Sequence, residues 1–287
     1  MKVVVSENEI VSLRSMLPSE LNSSCNDKMA ARYIRATGGD IKKAESRLRA
    51  SLLWRKEFQP EKVVCAACRS NKTSHYLQVA GYCKLQRPVL YSCMKLSPNK
   101  DPEAGRAHMI SRFEQAVRMM PEGVEQWIWF SDFHGFGLGD LNPSMARIFL
   151  DVSATHYPER LGVYFLVDTP TIFEVLWKMV KPLLDPVTAQ KLVFVPYDVK
   201  TQSGAAKLRE TLEEYFDFDL VEWLLREMAE NRDKSKRQGK GFDFQGTYDS
   251  AAAGDLVTKQ PHDLRGTDKI LKQYLADPSL LLPQAEA

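Results

Sequence analysis

The 287-residue sequence contains no run of about 18 consecutive apolar residues, so no membrane-crossing helix is expected. The opening MKVVVSENEIVS has no long apolar stretch leading to a small-residue cleavage site, and a reducing, cytoplasmic compartment is the expectation. Net charge is almost absent: 39 Lys and Arg against 37 Asp and Glu give a formal +2, so no global field points to nucleic acid as a partner. Attraction to an anionic membrane has to come from local basic clusters. GxSxG, a phosphate-binding P-loop, GxGxxG after a strand and HExxH are all missing, so no catalytic residue is assigned and an enzyme is not expected. No internal repeat is visible.

Cysteine is sparse. Five thiols, an odd number, do not make a disulfide framework. Cys65, Cys68, His75 and Cys83 have the residue types of a tetrahedral zinc site. Their intervening gaps of two, six and seven residues match no zinc motif, so they are read as reduced, partly buried thiols and no metal site is assigned. Asp132 and His134 stand two apart at a strand end and point the same way. Asp-x-His-Gly at such a place is read as a cap for the following loop rather than as a metal or acid–base pair.

What is there is ordinary for a soluble globular chain, 44% hydrophobic and 26% charged. The most informative stretch is 157–195. Leu161–Val167 is a short apolar run bounded by Pro158 and by Asp168-Thr169-Pro170, the pattern of a buried strand. Pro170 suits the first turn of a helix and Thr169 its cap. Ile172, Val175, Leu176, Met179 and Val180 then recur at three- and four-residue spacing as an apolar stripe, and Pro182 or Asp185-Pro186 closes the helix. Lys191–Val195 starts another strand. Strand, helix and strand of this length form a parallel βαβ unit.

Residues 1–60 read as helices: one opening at Ser6, a second over Asp27–Ala36 ending at Gly38-Gly39, and a third capped by Asp40. Residues 61–87 read as irregular. Val89–Cys93 and Trp127–Phe133 are strands, and Asp101–Met120 and Leu141–His156 are helices. After a turn at Glu213–Asp219, a helix bears Leu220, Trp223, Leu224 and Met228. From Arg232 the chain turns polar, with the basic run RDKSKRQGKG, and a short helix near Asp268–Leu275 and the apolar Leu280–Leu282 follow.

Several of these segments resemble the CRAL-TRIO lipid-transfer family in order. They are Tyr157-Pro158-Glu159-Arg160, the helix end Lys181-Pro182-Leu183-Leu184-Asp185-Pro186, and Thr188 to Lys191 as T-x-x-K before a strand. Ala30-Ala31-Arg32-Tyr33-Ile34-Arg35 stands for the family's R-x-x-R helix, with alanines where leucines are usual, followed by a helix ending in WRKEF. The resemblance covers roughly residues 6–200. Gln86 replaces the usual glycine before Arg87-Pro88, and an LPxEYGG segment does not follow Val195.

The resemblance implies an α/β fold: a helical lobe over 1–60, and a lobe over 61–230 with a mixed, mostly parallel sheet flanked by helices around a gated apolar pocket. A polar extension over 231–287 completes the chain. The helix over 171–184, which also bears Lys178 and Lys181, becomes a gate that swings outward at a membrane to exchange lipid. Trp127, Trp129, Phe165 and Phe173, with the stripe above, become pocket and gate. An acyl-chain cavity of several hundred cubic ångströms is what such a pocket needs.

In phosphatidylinositol-binding members the headgroup contacts fall on positions matched here by Arg32, Glu159, Thr188 and Lys191. A desolvated phosphate wants such cationic and hydroxyl donors, and a lysine opening an apolar strand needs a partner or an anionic ligand. A structural Arg32–Glu159 or Lys191–Glu159 salt bridge is the other reading. Trp127 and Trp129 align where a phosphatidylcholine-binding member has small hydroxyl residues, which argues against a choline lipid. The expected ligand is therefore phosphatidylinositol, bound without other cofactor by a monomer transiently peripheral to membranes. A small-hydrophobe carrier (tocopherol- or retinoid-like) and a lipid-gated adaptor that contacts a protein through 231–287 are the alternatives. The five cations of 232–240 would each add roughly 1 kcal/mol on an anionic bilayer, unless they merely solvate a helix end.

Overall fold

The computed structural model describes residues 3–184 and 186–241. Its contacts divide the chain into two units: residues up to Val63 together with Ile148–Arg160, and Val64–Arg147 together with the chain from Leu161.

The first unit is helical and its helix ends are set by local polar caps. Ser6 Oγ accepts the Glu9 N–H at 3.3 Å while the Glu9 carboxylate takes the Ser6 N–H at 2.7 Å, starting α1 (Glu7–Ser15). A short α2 (Ser19–Asn22) follows. Asn26 accepts the Met29 N–H at 2.8 Å and opens α3 (Asp27–Ala36), and Asp40 accepts that of Lys43 at 2.9 Å and opens α4 (Ile41–Phe58). Leu13, Ala30, Ile34, Ala44 and Leu48 are fully buried in the core of this unit. The alanines let α3 and α4 approach closely where larger side chains would hold them apart. Residues 148–160, assigned from sequence to the second lobe, belong here. Tyr33 Oη donates to the Thr155 carbonyl at 2.9 Å, Arg47 to that of Ala154 at 2.7 Å, and the Trp54 and His156 rings stack at 3.7 Å. Contact in space, not chain order, decides the division.

The second unit begins with α5 (Ala66–Ser70), β1 (Leu77–Tyr82), β2 (Pro88–Cys93), α6 (Pro102–Met119) and β3 (Trp127–Asp132). The helix α7 (Pro143–His156), which belongs to the first unit from Ile148 on, is followed in the second unit by β4 (Leu161–Val167), α8 (Phe173–Val180), α9 (Pro186–Gln190) and β5 (Leu192–Val195). Then come α10 (Gln202–Glu213), α11 (Phe218–Arg232) and α12 (Lys234–Arg237). The five strands lie in sequence order, β1 antiparallel to β2 and the remaining neighbours parallel. The mixed, mostly parallel sheet flanked by helices is the expected one.

Alternation along the strands sends side chains to two faces. Val89, Tyr91, Ile128, Phe130, Phe165 and Val167 pack against Leu212, Phe216, Leu220, Trp223 and Leu224 of α10 and α11 and the turn between them. The opposite face meets α6 and α8. There the rings of Phe113 on α6 and Trp127 stack at 4.4 Å, and Phe173 on α8 joins a cluster with Phe133 and Leu166. Among the described residues no helix is long and apolar enough to cross a membrane.

Candidate functional site

The gate segment starts later than expected. Pro170 and Thr171 form a turn, with their carbonyls accepting from Phe173 and Glu174 N–H at 2.8 and 3.0 Å. The helix begins at Phe173, so Thr169 does not cap it and Ile172 stands at the cap without a side-chain bond. The fixed φ of proline favours the turn, and α8 is left with eight residues.

The stripe on α8 splits in two. Phe173 is buried, Leu176 and Trp177 pack partly buried around it, and Ile172 and Val180 are half-buried. Phe173 meets Phe133 edge-on at 4.8 Å and Phe136 at 5.8 Å, and Trp177 meets Phe194 at 5.6 Å. Val175 and Met179 point away and are 51% and 41% exposed. Leu183, Val187 and Phe194 extend the exposed apolar set. Glu174 and Lys178 are exposed as well, so the outer face of α8 sets two apolar side chains beside two charged ones, where the outer face of a surface helix is normally polar throughout.

Three of the expected pocket residues need correction or detail. Phe165 is not on this face: its ring lies 5.5 Å from Phe130, 4.9 Å from Tyr215 and 5.7 Å from Phe216, in the core beneath α10 and α11. A parallel strand buried on both sides has no polar residue to show which face is which. Trp127 and Trp129 are on the α8 face of the sheet, but Trp127 is covered by Phe113 of α6. Trp129 is half-buried and donates through Nε1 to Ser92 Oγ at 3.3 Å.

That bond belongs to a hydroxyl cluster the sequence reading did not find. Ser92 and Ser131 are paired across β2 and β3 with their Oγ atoms 2.7 Å apart, and the Ser131 hydroxyl donates to Tyr164 Oη at 3.1 Å. Burial pushes the Tyr164 phenol up to about 12, with the Ser131 bond acting the other way. Tyr164 also borders the aromatic cluster beneath α8. Strand alternation alone could have put Ser131 on this face, but its partners required the strand register.

Of the expected headgroup residues, Arg32 is buried on α3 and Glu159 holds φ +58 in the 157–160 turn, both in the first unit. Thr188 on α9 and Lys191 just before β5 are half-buried in the second unit. The Lys191 N–H donates to the Thr188 carbonyl at 3.1 Å, and the Lys191 carbonyl accepts from Tyr164 N–H at 2.8 Å. One tight turn thus places these two side chains next to the strand that carries Tyr164.

The basic run is only partly a surface feature. Arg232 pairs with Asp132 and Asp168, and Lys240 with Glu227 at 2.8 Å and Glu230 at 3.0 Å. Lys234 and Lys236, on α12, are exposed, and Arg237 is half-buried and donates to the Asn231 carbonyl at 3.4 Å. Asp132 also accepts the His134 N–H at 3.0 Å, the loop cap expected of Asp-x-His-Gly. The helix expected near 268–275 and the apolar 280–282 lie outside the described residues, as does most of the 231–287 extension.

Three of the four zinc-type residues do converge. Cys65, Cys68 and His75 come together on and after α5, while Cys83 is buried in the core beneath α11. The fourth member is His108 of α6, and the donor atoms of the four all lie within 4.8 Å of one another. Local spacing could not reveal it, because the fourth residue arrives from a distant helix.

Comparison with known proteins agrees with this architecture. The model of the CRAL/TRIO domain family matches residues 73–222. Phosphatidylinositol transfer protein CSR1 of Eremothecium gossypii is 29% identical over 190 residues, covering 61% of this chain and 44% of that protein. Phosphatidylinositol transfer protein PDR17 of Saccharomyces cerevisiae is 30% identical over 179 residues, 57% of this chain and 50% of that one. A CRAL-TRIO domain-containing protein of Schizosaccharomyces pombe is 29% identical over 165 residues, 57% of this chain and 16% of that one. The chain thus spans half or less of the length of these curated relatives. The crystal structure of Sfh5 aligns with a TM-score of 0.52 over 79% of this chain and 99% of that one, at 13% identity, a likeness of fold.

Proposed function

The chain belongs to the CRAL/TRIO family, and from that premise we propose that it binds a phospholipid, phosphatidylinositol first, and transfers or presents it between membranes or to lipid-modifying enzymes. The observation that carries this reading is α8. Its inner side chains hold to the sheet through a small aromatic cluster, and two of its outer side chains, Val175 and Met179, are apolar and exposed beside the charged Glu174 and Lys178. Swung outward, such a helix keeps an apolar face in contact with lipid on both sides. Each 100 Å² of apolar surface then removed from water contributes about 2.5 kcal/mol. The space vacated by Phe173, Leu176 and Trp177 would receive acyl chains. Thr188 and Lys191, fixed by the turn before β5, would offer a hydroxyl and a cation to the phosphate. Arg32 and Glu159 remain headgroup candidates through the resemblance. The protein acts as a monomeric cytoplasmic carrier, transiently at a membrane surface, with no catalytic step and no cofactor.

Native mass spectrometry of the purified protein, with lipidomics of what dissociates, tests this for wild type and Lys191→Ala. Phosphatidylinositol bound one to one by the wild type and lost from the variant is the expected result. A neutral hydrophobe retained by both overturns it in favour of a small-hydrophobe carrier. A folded protein that stays empty after exposure to mixed liposomes overturns it in favour of an adaptor acting through 231–287.

A further inference from the structure

We propose that Cys65, Cys68, His75 and His108 bind one zinc ion in a closed, tetrahedral, structural site. The four side chains are 0%, 1%, 6% and 2% exposed, and their four donor atoms all lie within 4.8 Å of one another. His75 Nδ1 is 3.5 Å from Cys65 Sγ and 3.4 Å from Cys68 Sγ, and His108 Nδ1 is 3.4 Å from Cys68 Sγ. Zinc bonds of about 2.3 Å to sulfur and about 2.0–2.1 Å to nitrogen at the tetrahedral angle put sulfur and nitrogen about 3.6 Å apart. The observed separations are close to that value. Two thiolates balance the charge of Zn²⁺, so the filled site is neutral and its burial is not opposed as a lone charge would be.

The surroundings orient these ligands. His108 Nε2 lies 3.0 Å from the Leu77 carbonyl, which commits Nε2 to carry the proton and leaves the Nδ1 lone pair facing the cluster. The Cys68 N–H points at Cys65 Sγ at 3.4 Å, in a turn where Cys65 caps α5 and so presents both sulfurs on one side. The His75 and His108 rings stack at 5.0 Å, which sets their donor edges side by side. A sulfur and imidazole set of this kind selects zinc over hard cations, and four protein ligands leave no position for substrate. The ion would join α5, the chain before β1 and α6. It would tie the five-residue α5 and the irregular chain before β1 to the long α6, so that binding the ion contributes to folding. The site is separate from α8, so this inference does not depend on the lipid reading.

Elemental analysis of full-length protein, produced with zinc in the medium and purified under reducing conditions without chelator, is the test. One equivalent of zinc is expected in the wild type and in Cys25→Ser, and almost none in Cys65→Ser or His108→Ala. X-ray absorption at the zinc edge should show two sulfur and two nitrogen ligands. Should those variants fail to fold, the wild type serves: chelation should remove the zinc and lower Tm, and added Zn²⁺ should restore it. Any of three results overturns the proposal: wild type purified metal-free, with thiols 65 and 68 free or joined as a disulfide; zinc coordinated without sulfur; or full zinc content in folded Cys65→Ser.

Discussion

Arg232, the last residue of α11, grips Asp132, the last residue of β3, through two bonds of 2.8 and 2.9 Å, and Asp132 is fully buried. The same guanidinium reaches Asp168, just past β4, at 2.7 Å, and lies 3.7 Å from the centre of the Tyr197 ring. One planar side chain therefore ties the carboxyl ends of β3 and β4 to α11. Burial disfavours its charge, yet the two carboxylates hold its pKa above the ordinary arginine value. Arg232→Met leaves Asp132 buried without that cation and should cost about 3–5 kcal/mol. Urea unfolding should show a lower midpoint with an unchanged slope. Arg232→Lys should recover little, because a point charge cannot make the paired bonds.

The loop beside this ion pair depends on a single glycine. Gly135 has φ +81, and a Cβ there would lie 2.7 Å from Lys95 Cδ and 3.1 Å from Lys95 Cα. The approach is fixed because the Lys95 N–H donates to the His134 carbonyl at 2.8 Å, joining the ends of β2 and β3. Gly135→Ala must strain the backbone and also push Lys95 away. A loss of about 1–3 kcal/mol in thermal or urea unfolding is expected.

Much of this architecture was legible because its signals are local. Asp27–Ala36 was bounded correctly by its turn residues, Asp40 by its capping role, and Leu161–Val167 by a Pro and an Asp-Thr-Pro on either side of an apolar run. β1 carries no clear strand pattern in sequence because a bulge between Val79 and Gly81 breaks its alternation. α10 has a weak apolar stripe in sequence, with only Leu208 and Leu212 of its twelve residues buried. Gln86, in place of the family's usual glycine, still holds φ +57, so the turn keeps its left-handed residue. The site was less readable because its members meet across register and packing. Ser92 reaches Ser131 only through the β2–β3 pairing, and His108 reaches Cys68 only because α6 lies on β1. Phe165 faces the core under α10 and α11 rather than the pocket, and with both faces of β4 apolar no residue of the strand signals which face is which.

The outward face of α8 separates stability from membrane action. Val175 and Met179 are exposed at 51% and 41%, so glutamates there disturb little packing and should change unfolding free energy by no more than about 0.5 kcal/mol. Val175→Glu with Met179→Glu places two carboxylates where the proposed gate meets acyl chains and anionic headgroups. Sedimentation with phosphatidylinositol-containing vesicles should fall sharply for the double variant, and lipid transfer between vesicles with it. Unchanged transfer by a normally folded double variant would refute α8 as the membrane-facing element.

Tyr164 allows a pH test of the hydroxyl cluster beneath that gate. Its phenol ionises at about 12 in the folded protein, pushed up by burial, against about 10 when the chain is unfolded. The raised value means that the folded state keeps a proton the unfolded state gives up. The associated stability is present in full below pH 10 and is lost as pH rises from 10 to 12. Tyr164→Phe removes this contribution, so the variant should lose less stability than wild type over that window, with a difference on the order of 2 kcal/mol by its upper end. At pH 7 the same change deletes one bond while Ser131 keeps its contact with Ser92, and the expected cost is about 0.5–1.5 kcal/mol. Paired urea titrations at pH 7 and across the alkaline window measure both. Parallel alkaline curves for the two proteins would mean that Tyr164 is already open to solvent, as a gate standing away from the sheet would leave it.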